Sequence, residues 1–278
     1  MIVSLCQLCS TRDVDDNLDT CRRLAERSSE RGADWILFPE NAPFLGSDAD
    51  KLAVAEPLEG SIVDAYRSLA KDFDARVTLG SFPETSPDDD RTFNTQVQIA
   101  PDGSIEAVYR KIFLFDVSVE GGREYRESAH VRPGDDIVTA SFEVDGSSPT
   151  IGLTICYDLR FPSLYRRYAV DHGAEVVTVP SAFTLQTGRD HWQPLLRARA
   201  IENQCWMLAP NQWGHHHGDR WSYGHSSIYD PWGQRVACAS DGPGIVTADI
   251  DLGAVERVRR EMPCLEHARR ADLAERSG

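Results

Sequence analysis

The chain has 278 residues, of which 41% are hydrophobic, so it can bury a sizeable core. Its formal net charge of −15 excludes nucleic acid and anionic membrane as partners, because both demand a basic surface. No apolar run reaches the ~18 residues of a membrane span, and the start MIVSLCQLCSTRDVDD lacks the basic region and long apolar stretch of a secretory signal, so the cytoplasm is the expected compartment.

Residues 2–8 alternate as a strand, and residues 16–31 have helical spacing with Gly32 as the stop. ADWILFPE reads as a short buried strand. Residues 61–73 form the next helix, with Ser61 as N-cap after Gly60. RVTLGSF, TFNTQVQIA and SIEAVYRK follow as strands, the last two joined by a PDGS turn. Between the first two, TSPDDDR (85–91) reads as a solvated loop.

The second half repeats the style. FEVDGSSPTIGLTIC reads as two strands around a DGSS turn, FPSLYRRYAVDHG as a helix and AEVVTVPSA as a strand. GRDHWQPLLRARAIENQ is a helix with Pro194 near its first turn. CWMLAPNQW, HSSIYDP, QRVACAS and GIVTADI close the pattern, with DPWGQ as a hairpin turn. Residues from about 252 form a C-terminal tail that opens on one helical stretch. Interleaved strands and helices give an α/β protein, and the hairpin signals at 100–105 and 230–234 call for mixed pairing in one sheet or two. No linker or repeat divides the chain, so residues 1–278 read as one domain.

Seven cysteines without framework spacing read as free thiols. Cys6 and Cys9 form a C-x-x-C, open to a zinc or redox reading. Positions three apart on a strand face opposite sides, however, and buried apolar thiols are the expectation. Only three lysines, at 51, 71 and 111, stand against 26 arginines. A high-salt cytoplasm and a GC-rich genome both account for that balance.

Three residues stand at or near the ends of apolar runs: Glu40 in WILFPE, Lys111 in AVYRKIFLFD and Cys156 in TIGLTICYDLRFP. An open α/β sheet builds catalytic sites at such strand ends. A thiol at a strand-to-helix turn is exposed, and the amides of the turn can face a developing oxyanion. The plainer readings are a buried strand cysteine, a solvent-facing carboxylate and a surface lysine. Glu127, in GGREYRESAHVRPG, is a second carboxylate able to orient the lysine or cap a turn.

FPE at 38–40, YRKIFLFD at 109–116, YRES at 125–128 and GLTICYDLRFP at 152–162 together resemble the signature blocks of the nitrilase superfamily of carbon–nitrogen hydrolases. The likeness continues through PSAFT, TGRDHWQPLLRARAIENQCW and SYGHSSIYDPWG to the terminal DIDL, in order and over essentially the whole chain. Within the superfamily it resembles the Nit-type amidases, and HHHGDRWSYGHS resembles their deaminated-glutathione branch. The resemblance implies a four-layer α-β-β-α sandwich with two mixed sheets, paired into a homodimer or higher oligomer. By motif it implies Glu40 as general base, Cys156 as nucleophile and Lys111 as oxyanion cation. Glu127 matches the supporting glutamate, and the Tyr157 backbone amide the second oxyanion donor. No metal or organic cofactor is implied.

Arg160 is open to two readings, a substrate carboxylate or an ion pair with a neighbour such as Asp158. Phe183 suits the pocket wall and the core equally. His215, His216 and His217 read as a loop near the pocket mouth in preference to a metal site, and His191 and Trp192 as the start of a helix beside the site. Gln193 stands where the Nit pattern usually has Glu, and Phe113 where many relatives carry His.

The expected activity is hydrolysis of a small carboxylate-bearing amide to acid and ammonia by way of a thioester. An omega-amidase of keto-acid amides and an N-carbamoyl amidohydrolase are the alternatives within the class. A catalytically idle scaffold on the same fold is the alternative outside it.

Overall fold

The computed structural model describes residues 1–86, 90–118, 124–144 and 146–268. The middle of TSPDDDR, the approach to Glu127 at 119–123, Asp145 of the DGSS turn and the terminal residues 269–278 lie outside the described residues. The first half runs β1 (Ile2–Gln7), α1 (Val14–Ser29), β2 (Trp35–Leu37), α2 (Asp48–Ala53), α3 (Ser61–Phe73), β3 (Arg76–Thr85), β4 (Thr92–Ile99) and β5 (Ile105–Arg110). A short hairpin of β6 (Asp116–Ser118) and β7 (Glu124–Arg126) follows, then β8 (Val131–Arg132). The second half runs β9 (Thr139–Ser141), β10 (Thr150–Leu153), α4 (Pro162–Asp171), β11 (Val176–Thr178), α5 (Leu185–Asn203) and β12 (Trp206–Ala209). A second hairpin, β13 (Trp213–His217) with β14 (Arg220–Tyr223), precedes β15 (Ser227–Tyr229), β16 (Arg235–Cys238), β17 (Gly244–Asp249) and α6 (Gly253–Glu261).

Two mixed sheets result. The first has the order β17–β1–β2–β3–β4–β5, with β8 alongside β4. Its β1, β2 and β3 are mutually parallel, and β17, β4 and β5 join antiparallel. The second has the order β16–β15–β12–β11–β10–β9, with β10, β11 and β12 parallel.

Alternation along the strands supplies both faces of each sheet. Val3, Leu5, Trp35 and Leu37 of the first sheet pack against Ile151, Leu153, Val176 and Leu208 of the second. Behind the first sheet, Ile36, Val77 and Leu79 meet Leu24 of α1 and Ile62 and Tyr66 of α3. Behind the second, Val177 and Met207 meet Tyr165 of α4 and Trp192 and Leu196 of α5. The layers are therefore α-β-β-α, as the resemblance implies. Among the described residues no helix is long and apolar enough to cross a membrane.

Several boundaries differ from the expectation. α1 starts at Val14 because the Asp13 side chain caps the Asp16 N–H at 3.0 Å. α3 is capped by Gly60 and not Ser61; the Glu56 carboxylate takes the Ser61 hydroxyl at 2.7 Å and the Ile62 N–H at 2.8 Å. α5 begins at Leu185, which puts His191, Trp192 and Pro194 well inside the helix. In the stretch expected as a tail, α6 buries Val255 between the sheets, and Arg259 donates to the Gly173 carbonyl at 3.2 Å.

Candidate active site

The C-terminal ends of parallel strands from both sheets open toward one crevice, where such folds gather functional groups. Glu40 lies three residues past β2. A bulge between Leu79 and Phe82 of β3 lets its segment approach. A Cβ on Gly80 would stand 2.0 Å from the Phe38 carbonyl oxygen, so only glycine fits there. Ser81 Oγ accepts the Asn41 N–H at 2.9 Å, and Asn41 turns the chain with φ 57°.

Cys156 follows β10 and opens a single 3₁₀ turn, Cys156–Arg160. Its φ of 46° is left-handed, an uncommon state for a residue with a side chain. Its N–H donates to the Pro180 carbonyl beyond β11 at 2.9 Å. Lys111 follows β5, with its N–H on the Asn94 carbonyl at 2.9 Å and its own carbonyl receiving the Gly134 N–H at 2.8 Å. The VRPG segment thus clamps the lysine backbone.

These placements bring the charged groups together. Lys111 Nζ donates to Glu40 Oε1 at 2.9 Å and to Glu127 Oε1 and Oε2 at 3.1 and 2.9 Å. Asn94 Nδ2 reaches the same two carboxylates, Glu40 Oε1 at 2.9 Å and Glu127 Oε1 at 3.2 Å. The Ala182 N–H donates to Glu40 Oε2 at 2.8 Å, and the Phe115 N–H to Glu127 Oε2 at 2.7 Å. The Cys156 thiol shares the cavity with the Glu40 carboxylate, close enough for each to act on the other's ionisation. Glu40 and Lys111 are buried.

Burial opposes ionisation of Glu40, but the Lys111 charge and its hydrogen bond prevail and hold the carboxyl at about 2. Burial likewise pulls Lys111 down, yet Glu127 first and Glu40 second outweigh it, and the ammonium stays charged. Desolvation pushes the Cys156 thiol up, the Glu40 charge adds to it, and Lys111 only partly opposes. The resting site therefore holds a neutral thiol beside an ionised carboxylate. That pairing suits general-base activation at the moment of attack, with no standing thiolate.

Glu40, Lys111, Glu127, Cys156, Tyr157, Arg160 and Phe183 all line one cavity, about 570 Å³ of empty space with its solvent-open mouth included. This is room for a small molecule. Among the described residues the Tyr157 N–H has no acceptor. Arg160 does not pair with Asp158, as one reading had it. Asp158 is fully buried and accepts from Tyr109 OH at 2.7 Å and from the amides of Ile155 and Phe113 at 2.8 and 3.0 Å. Arg160 instead lies over the Tyr157 and Phe183 rings, 5.8 and 5.2 Å from their centres, and meets His191 Nδ1 at 3.3 Å. Phe183 serves both pocket and core, packing on Trp192 at 5.1 Å.

The histidine triplet lies in β13, so the expected loop is a hairpin. His216 bridges the Ser10 carbonyl at 2.8 Å and Ser222 Oγ at 2.9 Å, and burial lowers its pKa to about 4. The hairpin reaches the cavity through Arg220. Cys6 is buried under the helices, whereas Cys9 lies past β1 beside His216, 3.7 Å from its Nδ1. Among the described residues no group of three or more His, Cys, Asp or Glu is placed to hold a metal ion.

Neither unusual residue reaches the cavity. Gln193 accepts from Tyr229 OH and donates to Ser227 Oγ at 3.1 Å. Phe113 stacks on Phe161 with ring centres 3.6 Å apart. The residues missed from sequence are Asn94, the Ala182 amide, and the cations Lys51 and Arg220 on the cavity wall. Lysine scarcity was a usable signal for Lys51; nothing local marks the others.

A family model described as carbon-nitrogen hydrolase matches residues 2–260. The deaminated glutathione amidase of Homo sapiens is 42% identical over 278 residues, covering 98% of this chain and 83% of that protein. The crystal structure of Nit3 from Saccharomyces cerevisiae, a member of branch 10 of the nitrilase superfamily, matches with a TM-score of 0.84 at 30% identity. That match covers 95% of this chain and 94% of the yeast one. A mutant of the amidase from Nesterenkonia sp. AN1, with TM-score 0.76 and 27% identity, covers 94% of this chain and 98% of its own; its active-site cysteine has undergone Michael addition of acrylamide. By sequence match and by its two-sheet fold, the chain belongs to the carbon–nitrogen hydrolase family within the nitrilase superfamily, and is an amidase acting on C–N bonds.

Proposed function

We propose that the protein is a cysteine-dependent amidase that hydrolyses a small, carboxylate-bearing amide of the deaminated-glutathione type through a thioester. One observation carries the reading: Lys111 Nζ stands 2.9 Å from both Glu40 and Glu127, and Cys156 lines the same cavity beside them. Glu40 takes the thiol proton as sulfur attacks the amide carbonyl. Lys111 and the Tyr157 N–H stabilise the oxyanion, a contribution typically worth ~3 kcal/mol per donor. The C–N bond breaks as Glu40 returns the proton to the leaving nitrogen. A water deprotonated by the same carboxylate then attacks the thioester and frees the acid and the thiol. Glu127 keeps the ammonium charged and aimed.

The cavity wall favours an anionic substrate. Among the described residues neither Arg160 nor Arg220 has an ion-pair partner, and Lys51 lines the same space. Beside them, Phe115, Tyr125, Tyr157 and Phe183 offer an aromatic surface.

The test is amide turnover by the parent and by Cys156→Ala over deaminated glutathione, alpha-ketoglutaramate and N-carbamoyl acids. Both ammonia and amine must be scored, since a primary amide releases the first and an internal amide the second. Retained turnover in Cys156→Ala refutes the nucleophile assignment.

We also infer one hydrolase domain over residues 1–278, a cytoplasmic setting and a homodimer. Pairing is supported by Ile201, Trp232 and Val236, exposed at 49%, 53% and 45% around α5 and the β15–β16 turn. Sedimentation showing monomers at every concentration would remove the dimer.

A further inference from the structure

We infer that Asn94 is a positioning residue of the reaction: its side-chain amide ties Glu40 to Glu127 and reserves Glu40 Oε2 for the proton leaving Cys156. This rests on the roles proposed above for Glu40 and Cys156.

Asn94 lies in β4 and is 4% exposed. A primary amide offers two hydrogens, and here each engages a different carboxylate, at 2.9 Å for Glu40 and 3.2 Å for Glu127. Its backbone carbonyl holds the Lys111 N–H at 2.9 Å. One side chain and its own backbone thus contact all three charged residues. The reversed amide would press Oδ1 against two carboxylates, so the local charge fixes its orientation. Its Oδ1 is buried and, among the described residues, meets no donor. Leaving a buried acceptor unanswered costs stability, which argues that the two N–H contacts and not packing account for this residue.

The contacts also divide the labour of the Glu40 oxygens. Oε1 receives both Lys111 Nζ and Asn94 Nδ2, each at 2.9 Å. Among the described residues Oε2 receives a single donor, the Ala182 N–H at 2.8 Å. With two donors already on Oε1 and one on Oε2, the lone pair left for the thiol proton is on Oε2. Lys111, Cys156 and Arg220 are the charged or titratable groups acting on Glu40, with Glu127 across the ammonium. Asn94 adds a donor to that set without adding a charge. Without it, Glu40 becomes more basic: it takes the thiol proton readily but surrenders it slowly to the leaving nitrogen.

The consequence depends on the leaving group. An amide nitrogen must be protonated to depart, whereas p-nitrophenolate leaves unprotonated. The experiment compares kcat/KM of the full chain for an accepted amide and for the p-nitrophenyl ester of the same acid, in the parent, Asn94→Ala, Asn94→Asp and Asn94→Ser. The loss of a hydrogen bond to a charged group corresponds to roughly a 10- to 100-fold effect. Asn94→Ala should lose that much with the amide and little with the ester. Asn94→Asp, the same shape without donors, should lose more, and Asn94→Ser, which retains one donor, less. Equal losses with both substrates, or none, in any folded variant would overturn the inference. Cys156→Ala run alongside separates the two levels. If it still turns over, the site reading itself fails; if it is dead while the amide-to-ester ratio stays constant, only the role of Asn94 fails.

Discussion

Lys111 Nζ meets both oxygens of Glu127, at 3.1 and 2.9 Å, and gives a further contact to Glu40 Oε1 at 2.9 Å. Glu127 supplies the strongest attraction that keeps this buried amine protonated. Glu127→Gln removes that charge and also sets an amide against the Phe115 N–H, which now donates to Oε2 at 2.7 Å. The ammonium should drift and become easier to deprotonate. Misplacement by about 1 Å is enough to lower kcat on the order of 100-fold. Steady-state turnover checks this, and a rate equal to the parent's would contradict it.

The thiol carries a second prediction. Glu40 is held at about 2 and its charge raises Cys156. Glu40→Gln removes both the base and the charge that opposes thiolate formation. Turnover should vanish while alkylation of Cys156 by iodoacetamide shifts to lower pH, by about one unit or more. The two activities therefore move in opposite directions. Peptide mapping of the alkylated cysteine across pH measures the shift, and an unmoved or upward-shifted profile rules the coupling out.

These groups were readable from sequence to unequal degrees. Glu40, Lys111 and Cys156 stand at strand ends, and apolar runs announce strand ends. Asn94 gave no such sign, because TFNTQVQI alternates polar and apolar residues like a strand with one wet face. In the structure those polar side chains line the seam between the sheets: Gln96 Nε2 donates to Thr178 Oγ1 of the second sheet at 2.8 Å, and Gln98 accepts at 2.7 Å from Thr78 Oγ1 of neighbouring β3, which also takes the indole N–H of Trp35. A polar seam between two sheets has the same period as a solvent face, and only the tertiary partner tells them apart. Arg220 was hidden differently, on a hairpin whose sequence, HHHGDRWSYG, reads as loop. α5 was cut short at its start because Pro194 suggested a first turn, yet the helix passes straight through it.

Asp158 should leave a signature in stability against pH. Burial raises its pKa from the ordinary 3.8 to about 6, although donors from Ile155, Tyr109 and Phe113 work the other way. A raised folded value means that stability is fully present below about pH 4 and is lost as pH climbs to about 6, then levels off. The difference of about two units amounts to roughly 3 kcal/mol. Asp158→Asn cannot titrate, so its unfolding free energy should lack this decline between pH 4 and 6, although three donors aimed at an amide leave it less stable throughout. Parallel slopes for parent and variant in urea titrations would sink the assignment.

Gly80 sets the position of the general base from behind. Its missing Cβ leaves space that the Phe38 and Pro39 carbonyl oxygens occupy, 2.0 and 2.4 Å from where that atom would be. Both neighbours are backbone, so Gly80→Ala can be accommodated only by moving the segment that carries Glu40. Overpacking of this kind typically destabilises by about 1–3 kcal/mol, and displacing Glu40 by about 1 Å should lower kcat/KM on the order of 100-fold besides. Gly244→Ala in β17 is the control, because nothing stands within 4 Å of its added Cβ. If Gly80→Ala melts and turns over like Gly244→Ala, the bulge does not position Glu40, and the carboxylate must be held by Asn94, Ala182 and Lys111 alone.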